Sequence, residues 1–309
     1  VREAVSDISV DLCGLKLKNP LILASGFVGI SRASLKLAVQ HGAGAVTTKS
    51  ITVEARKGHP APIVVTYPGG MLNSVGISNP GIDNLADEFS DLKSLGVPVL
   101  GSITGRNEED YRILAEKSNT LDFAALEVVL SCPHTPGYGT MAGLSRPEIT
   151  ESITREVKTR TNKPVFVKLS PAVMGIVELA KAAEAGGADG ITAVNSAGPG
   201  MIIDVRARKP VLGGKVGGLS GEALRPIAVR CVYDIYQAVK IPIIGTGGVS
   251  NGEQAVEMIL AGAAAVGIGT AVYTRGIEAF RLISGEMLAF MEEEGIKSLS
   301  EIRGAAHEA

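Results

Sequence analysis

Eight short runs of Val, Ile, Leu and Ala recur along the chain, and each is apolar throughout instead of alternating with polar residues. They cover 21–25, 45–50, 97–103, 123–131, 165–170, 190–196, 241–247 and 265–270. Continuous apolar runs of this length are the mark of parallel strands covered on both faces, because neither face then meets water. Between and after them lie segments of helical period, among them 33–41, 107–117, 146–161, 177–185, 221–239, 251–261 and 277–294. Strand and helix repeated eight times predict an α/β fold, a (β/α)8 TIM barrel with its helices outside. An open doubly wound sheet is the alternative, but it normally needs fewer units. The opening segment 8–19 (ISVDLCGLKLKN) reads as an N-terminal β-hairpin that plugs the N-terminal end of the barrel. With no linker or low-complexity tract in 309 residues, a single domain over 1–309 is expected. Ser31 reads as a helix cap, and Ser145-Arg146-Pro147-Glu148 sets a cap, an early proline and a carboxylate together.

Hydrophobic residues make up 45% of the chain and charged ones 20%, which suits a large core under a modest polar surface. A net charge of −2, without a Lys/Arg run longer than two, gives no footprint for nucleic acid or an anionic membrane. No stretch approaches the roughly 18 uninterrupted apolar residues of a membrane span. The first residues, VREAVSDISVDL, carry acids where a secretory signal has a basic region and an apolar core. Cys13, Cys132 and Cys231 are scattered and odd in number, so they make neither a disulfide framework nor a metal ligand set. A reduced, cytoplasmic protein that acts on small molecules is expected.

In such a barrel the chemistry lies at the C-terminal ends of the strands. Those ends read Ser25-Gly26, Lys49-Ser50, Gly101-Ser102, Ser131-Cys132-Pro133-His134, Lys168-Leu169-Ser170, Asn195-Ser196, Gly247-Gly248 and Gly269-Thr270. Small and polar side chains therefore gather at one rim. Loops after strands 7 and 8 are the recurrent phosphate site of barrels, so Gly247, Gly248, Gly269 and Thr270 read as a phosphate corner. The phosphate belongs either to a substrate or to a cofactor, and tight turns are the plainer reading. Lys49 and Lys168 at strand ends suit anion binding, or for Lys168 a Schiff base of the aldolase kind. Cys132 is either a small buried hydrophobe or a functional thiol opening the glycine-rich loop 133–143, which could serve as a lid. His134 is equally a base or a loop cap. Cys13 and Cys231 read as structural.

Several motifs, in order, resemble the dihydroorotate dehydrogenase family, in particular its soluble class with a cysteine base. They are TTKS (47–50), GGMLNSVGISNPG (69–81), LSCPHTPGYG (130–139), FVKLSP (166–171), AVNSAG (193–198), GGLSG (217–221) and IIGTGGVSNGEQA (243–255). The resemblance spans nearly the whole chain and implies that the phosphate is that of FMN. By the same resemblance Ser25, Lys49, Ser50, Lys168, Val194 and Gly221 line the flavin, and Gly247, Gly248, Gly269 and Thr270 hold its phosphate. Lys49, Asn73, Ser74, Val75, Gly76, Ile77, Asn195 and Ser196 match substrate-binding positions, and Cys132 matches the general base. The implied reaction is oxidation of (S)-dihydroorotate to orotate in pyrimidine biosynthesis, with a proton leaving C5 and a hydride passing from C6 to flavin N5. A thiol can act as the base once its pKa is brought toward the working pH.

The family pattern Glu-Leu-Asn-x-Ser-Cys-Pro-Asn appears here with Val129 and His134 in place of the two asparagines, and Gly214 stands where an asparagine is common. The His134 variant resembles some archaeal-type members and the pyrimidine-reducing domain of dihydropyrimidine dehydrogenase. A dihydrouracil-type dehydrogenase is therefore the second reading. A flavin-free lyase using Lys168 and a barrel kept as a binding or scaffold subunit follow it. Some members of the class pair with an iron–sulfur flavoprotein that passes electrons to NAD. This sequence has neither a dinucleotide fingerprint after its first strand nor a cluster-binding cysteine set, so such a partner is implied if NAD is the acceptor. A homodimer is likewise implied by resemblance.

Overall fold

The computed structural model describes residues 6–132, 135–139 and 144–308. A hairpin of β1 (Val10–Leu12) and β2 (Leu15–Leu17) opens the chain. Its two-residue turn, Cys13-Gly14, takes φ of 55° and 84°, the paired positive values that a tight hairpin turn requires. The barrel begins with β3 (Leu21–Leu23), α1 (Arg32–Gln40) and β4 (Ala45–Thr47). The chain then leaves it for a hairpin of β5 (Val64–Tyr67) and β6 (Gly70–Asn73), and returns as β7 (Val99–Ile103). Next come α2 (Glu108–Ser118), β8 (Ala125–Val129), α3 (Pro147–Arg160), β9 (Val165–Leu169), α4 (Ile176–Ala185) and β10 (Gly190–Ala193). A second excursion holds β11 (Ala197–Gly200), β12 (Ile203–Asp204), β13 (Lys209–Pro210) and β14 (Gly217–Ser220). The last units are α5 (Arg225–Ala238), β15 (Ile243–Thr246), α6 (Gly252–Leu260), β16 (Ala265–Ile268), the short α7 (Ala271–Thr274) and α8 (Ala279–Glu293).

Strands β3, β4, β7, β8, β9, β10, β15 and β16 pair in parallel and close on themselves, so the expected (β/α)8 barrel is the observed one. Each lies inside one of the eight apolar runs. The ladder stops short of the runs' polar tails: β4 ends at Thr47 and β8 at Val129, which frees Lys49, Ser50 and Cys132 for the rim. The hairpin plugs the opposite end as expected. Leu12 and Leu17 pack there against Ile22, Leu100, Phe166 and Ile244, which fill the barrel's interior.

Two local expectations are corrected. Between β4 and β7 the described residues hold no α-helix. The 3-10 turns Ile82–Asn84 and Leu92–Leu95, with Leu85 and Phe89, bury their apolar side chains against the core instead. Positive φ at Gly81, Asp91 and Gly96 breaks any longer helix there. Ser145 does not cap α3; its hydroxyl donates to Leu130 O at 3.0 Å, and Arg146 is the cap residue before Pro147. The two excursions, to which the sequence assigns no strands, join in a four-stranded sheet, β11-β14-β6-β5, with Leu219 beside Leu72 and Ser220 beside Met71. Ser31 does cap α1, its hydroxyl accepting from Ser34 N–H at 3.1 Å. No helix among the described residues is long and apolar enough to cross a membrane.

Since Leu12 is fully buried where the hairpin meets the barrel floor, Leu12→Ala should cost about 2–5 kcal/mol of stability. Denaturant unfolding should show the midpoint falling at constant slope.

Candidate active site

A cavity of about 600 Å³ opens at the C-terminal end of the barrel, walled on one side by the four-stranded sheet. The barrel contributes Ser25, Lys49, Ser50, Cys132, Lys168, Val194, Asn195 and Ser196, and the sheet side contributes Met71, Asn73, Val75, Gly76 and Ile77. Strand ends at sequence separations of more than a hundred residues thus share one space.

The floor is built around a buried ion pair. Lys168 is 3% exposed, lies 3.4 Å from Glu127 Oε1 and donates to Ser25 Oγ at 2.8 Å. Ser102 donates to the same carboxylate at 3.3 Å and shares a hydrogen bond with Ser50 at 3.0 Å. A carboxylate inside an apolar strand is tolerated only with such partners. Burial pushes the Lys49 ammonium below the ordinary lysine range, and the neighbouring Lys168 ammonium adds to this. Two lysines against one carboxylate leave the floor cationic, suited to an anion or an electron-rich ring.

Cys132 is buried and packs with Ile77 and Tyr138. Its loop folds back so tightly that a Cβ on Gly139 would run into the Cys132 backbone nitrogen. Arg56 lies over the Tyr138 ring at 4.6 Å and donates to Gly76 O at 3.3 Å, tying this loop to the 73–77 segment. On the far side, Asn195 donates to Ser131 O at 3.2 Å and Ser131 Oγ at 3.0 Å, while its Oδ1 accepts from Ser196 N–H at 2.9 Å.

Gly247, Gly248, Gly269 and Thr270 meet at one corner of the cavity. Gly248 has φ of 78°, and a Cβ there would lie 2.8 Å from both Arg225 N and Gly221 O, so only glycine fits. Thr270 donates to Ser220 Oγ at 3.0 Å. Thr246 also lines the cavity, and its buried hydroxyl has no hydrogen-bond partner among the described residues. A buried orphan hydroxyl beside a side-chain-free corner fits a polar ligand that supplies the missing partner.

A family model for dihydroorotate dehydrogenase matches residues 7–291. The chain belongs to the dihydroorotate dehydrogenase family. It is 42% identical to the protein of Methanocaldococcus jannaschii named dihydroorotate dehydrogenase B (NAD(+)), catalytic subunit, over 97% of this chain and 98% of that one. Proteins of the same name from Pyrococcus abyssi and Methanosarcina mazei are 45% and 46% identical, covering 97% and 96% of this chain and 99% and 94% of theirs. Dihydroorotate dehydrogenases are flavin oxidoreductases, so the chain is an enzyme of that class. The flavin-free lyase and the scaffold subunit lose their ground. Lys168 is committed to Ser25 and Glu127 within a flavin-enzyme barrel.

Of the residues that the family resemblance suggests, Ser74 and Gly221 do not line the cavity. Ser74 is fully buried behind the wall against His59, and Gly221 backs Gly248. Val129 does line it; its carbonyl accepts from Tyr111 Oη at 2.7 Å and Thr104 Oγ1 at 3.0 Å. His134 lies outside the described residues, as do 133 and 140–143 of the loop expected to serve as a lid. Sequence reasoning missed Glu127, Thr246 and Ser220. Glu127 alone carried a signal, a charge inside an otherwise apolar run.

Glu127→Ala would leave Lys168 buried without its carboxylate, and should destabilise the fold by roughly 3–5 kcal/mol. Thermal and denaturant unfolding would measure the loss.

Proposed function

We propose that this chain binds FMN and oxidises (S)-dihydroorotate to orotate in pyrimidine biosynthesis, with Cys132 as the general base. The observation that carries the reading is the single cavity in which Cys132, Lys49, Asn73 and Asn195 face a cationic floor and a glycine corner. The same residues account for the chemistry. Backbone N–H groups at Gly247, Gly248 and Gly269, with the Thr270 hydroxyl, would hold the FMN phosphate. Lys168, fixed by Glu127 and Ser25, would face the ring. Bound there, FMN supplies the acceptor for the electron pair that leaves C6 with its hydrogen.

Lys49 gives the substrate carboxylate a cationic partner, and an anion placed beside it would offset the burial that lowers its pKa. Asn73 and Asn195 offer amide groups to the pyrimidine oxygens and N–H groups. Each amide is oriented by the protein: Asn73 Nδ2 donates to Gly218 O at 3.3 Å, and Asn195 Nδ2 donates to Ser131 Oγ at 3.0 Å. Cys132 takes the C5 proton. Its packing against Ile77 and Tyr138 shields it from water at the edge of the cavity it lines.

Val129 supports a second reading. A side chain without a hydrogen-bonding group stands in the cavity wall, which suits a dihydropyrimidine lacking the carboxylate, such as dihydrouracil. The name of the relatives supports NAD as final acceptor. We infer that a separate iron–sulfur flavoprotein subunit carries the electrons, that the catalytic chain forms a homodimer, and that both work in the cytoplasm.

Three measurements test these statements. Anaerobic dihydroorotate should bleach the flavin band of the purified protein; bleaching by dihydrouracil alone would favour the second reading, and an absent band after adding FMN would refute both. Cys132→Ala should keep FMN yet slow substrate oxidation by on the order of 10²–10⁴, as loss of a general base does; stopped-flow reduction would reveal normal rates if another group is the base. The chain alone should reduce NAD poorly, and a full rate without a second subunit would remove the need for one.

A further inference from the structure

The segment that brings Asn73, Val75, Gly76 and Ile77 to the cavity is held from behind by a residue that does not line it. His59 Nδ1 lies 3.0 Å from Ser74 Oγ and 3.1 Å from Ser74 O. The backbone N–H of His59 donates to Val75 O at 3.2 Å. One residue therefore grips two consecutive residues of the substrate side. A carbonyl only accepts, so this arrangement is satisfied with the imidazole proton on Nδ1.

The imidazole has room because residue 214 lacks a side chain. A Cβ on Gly214 would run into Ser74 Oγ and lie 2.6 Å from His59 Nδ1. Gly214 is not among the positive-φ glycines, so space and not backbone freedom calls for glycine there. The ends of the segment are fixed independently. Asn73 is paired into the sheet opposite Gly218, and Ile77 O accepts from Asn79 Nδ2 at 2.8 Å. Between them, Ser74 N–H donates to Ile63 O at 2.7 Å and Gly76 O accepts from Arg56, but the Ser74 side chain answers to His59.

We infer that His59 is a positioning residue for the substrate: through Ser74 it sets the 74–76 turn between Asn73 and Ile77, and Gly214 keeps its place open. The inference rests on the dihydroorotate reading, which assigns 73–77 to the substrate. Neither the barrel ladder nor the glycine corner includes His59, so its loss should loosen substrate binding and spare the cofactor.

The test is titration of orotate onto the purified, flavin-loaded chain, read from the perturbation of the flavin's visible spectrum, together with KM and kcat for dihydroorotate. His59→Ala should weaken orotate binding and raise KM by about tenfold or more, with flavin content unchanged and kcat within about threefold. His59→Asn, whose amide nitrogen can stand where Nδ1 stands, should stay within about threefold of the native protein. Ser74→Ala, which removes the hydroxyl contact and keeps the carbonyl bond, should weaken orotate binding in the same direction but by no more than His59→Ala, and the double variant should be no worse than His59→Ala alone. Unchanged orotate binding in His59→Ala, or additive losses in the double variant, would overturn the inference and leave the reaction standing. Loss of flavin in both His59 variants would overturn it too, by marking a general structural role. A native protein that carries flavin but does not respond to orotate would overturn the dihydroorotate reading and this inference together.

Discussion

The pairing of β16 back onto β3, with Val266 beside Leu21 and Ile268 beside Leu23, is the constraint from which the rest follows. A closed parallel ladder has no free edge, and it points all eight strand ends the same way. The polar tails of eight distant runs must then converge on one rim, whatever their order in the chain. The other end must be sealed, and Leu12 and Leu17 of the hairpin seal it. Closure also makes the interior dry, which raises the stakes of every polar group inside it.

Those stakes are clearest at Lys168 and Glu127. Each would be costly alone in the barrel, and together with Ser25 and Ser102 they form a set of compensated charges. Lys49 stands apart from that set, held below its ordinary range by burial. The floor therefore keeps a positive surplus beneath a corner where Gly247, Gly248 and Gly269 bare the backbone. A cationic floor and a corner of bare backbone in one cavity suit an electron-rich ligand that also carries an anionic group.

The barrel was legible because its strands are apolar on both faces and end in polar residues, as 45–50 and 165–170 do. The hairpin was legible from alternation around Cys13-Gly14. Strands β11 and β14 were not, since AGPG and GGLS carry no apolar run and owe their pairing to partners far off in sequence. Ser74 and Gly221 sit in the same motifs as residues that line the cavity, yet face elsewhere. Sequence contiguity does not say which way a side chain points at a turn. Glu127 was passed over because its neighbours are apolar, although that setting is what makes a carboxylate informative.

The cavity has two kinds of wall. Every residue of the eight barrel strands is buried, whereas in the four-stranded sheet the outer strands β5 and β11 keep exposed or half-exposed residues throughout and the central β6 and β14 are only partly buried. Free energies of local opening follow buried contact, so the outer strands of the sheet should open at lower cost than the barrel beneath them. A wall whose edge yields before its foundation would let a ligand come and go while the charges of the floor keep their register.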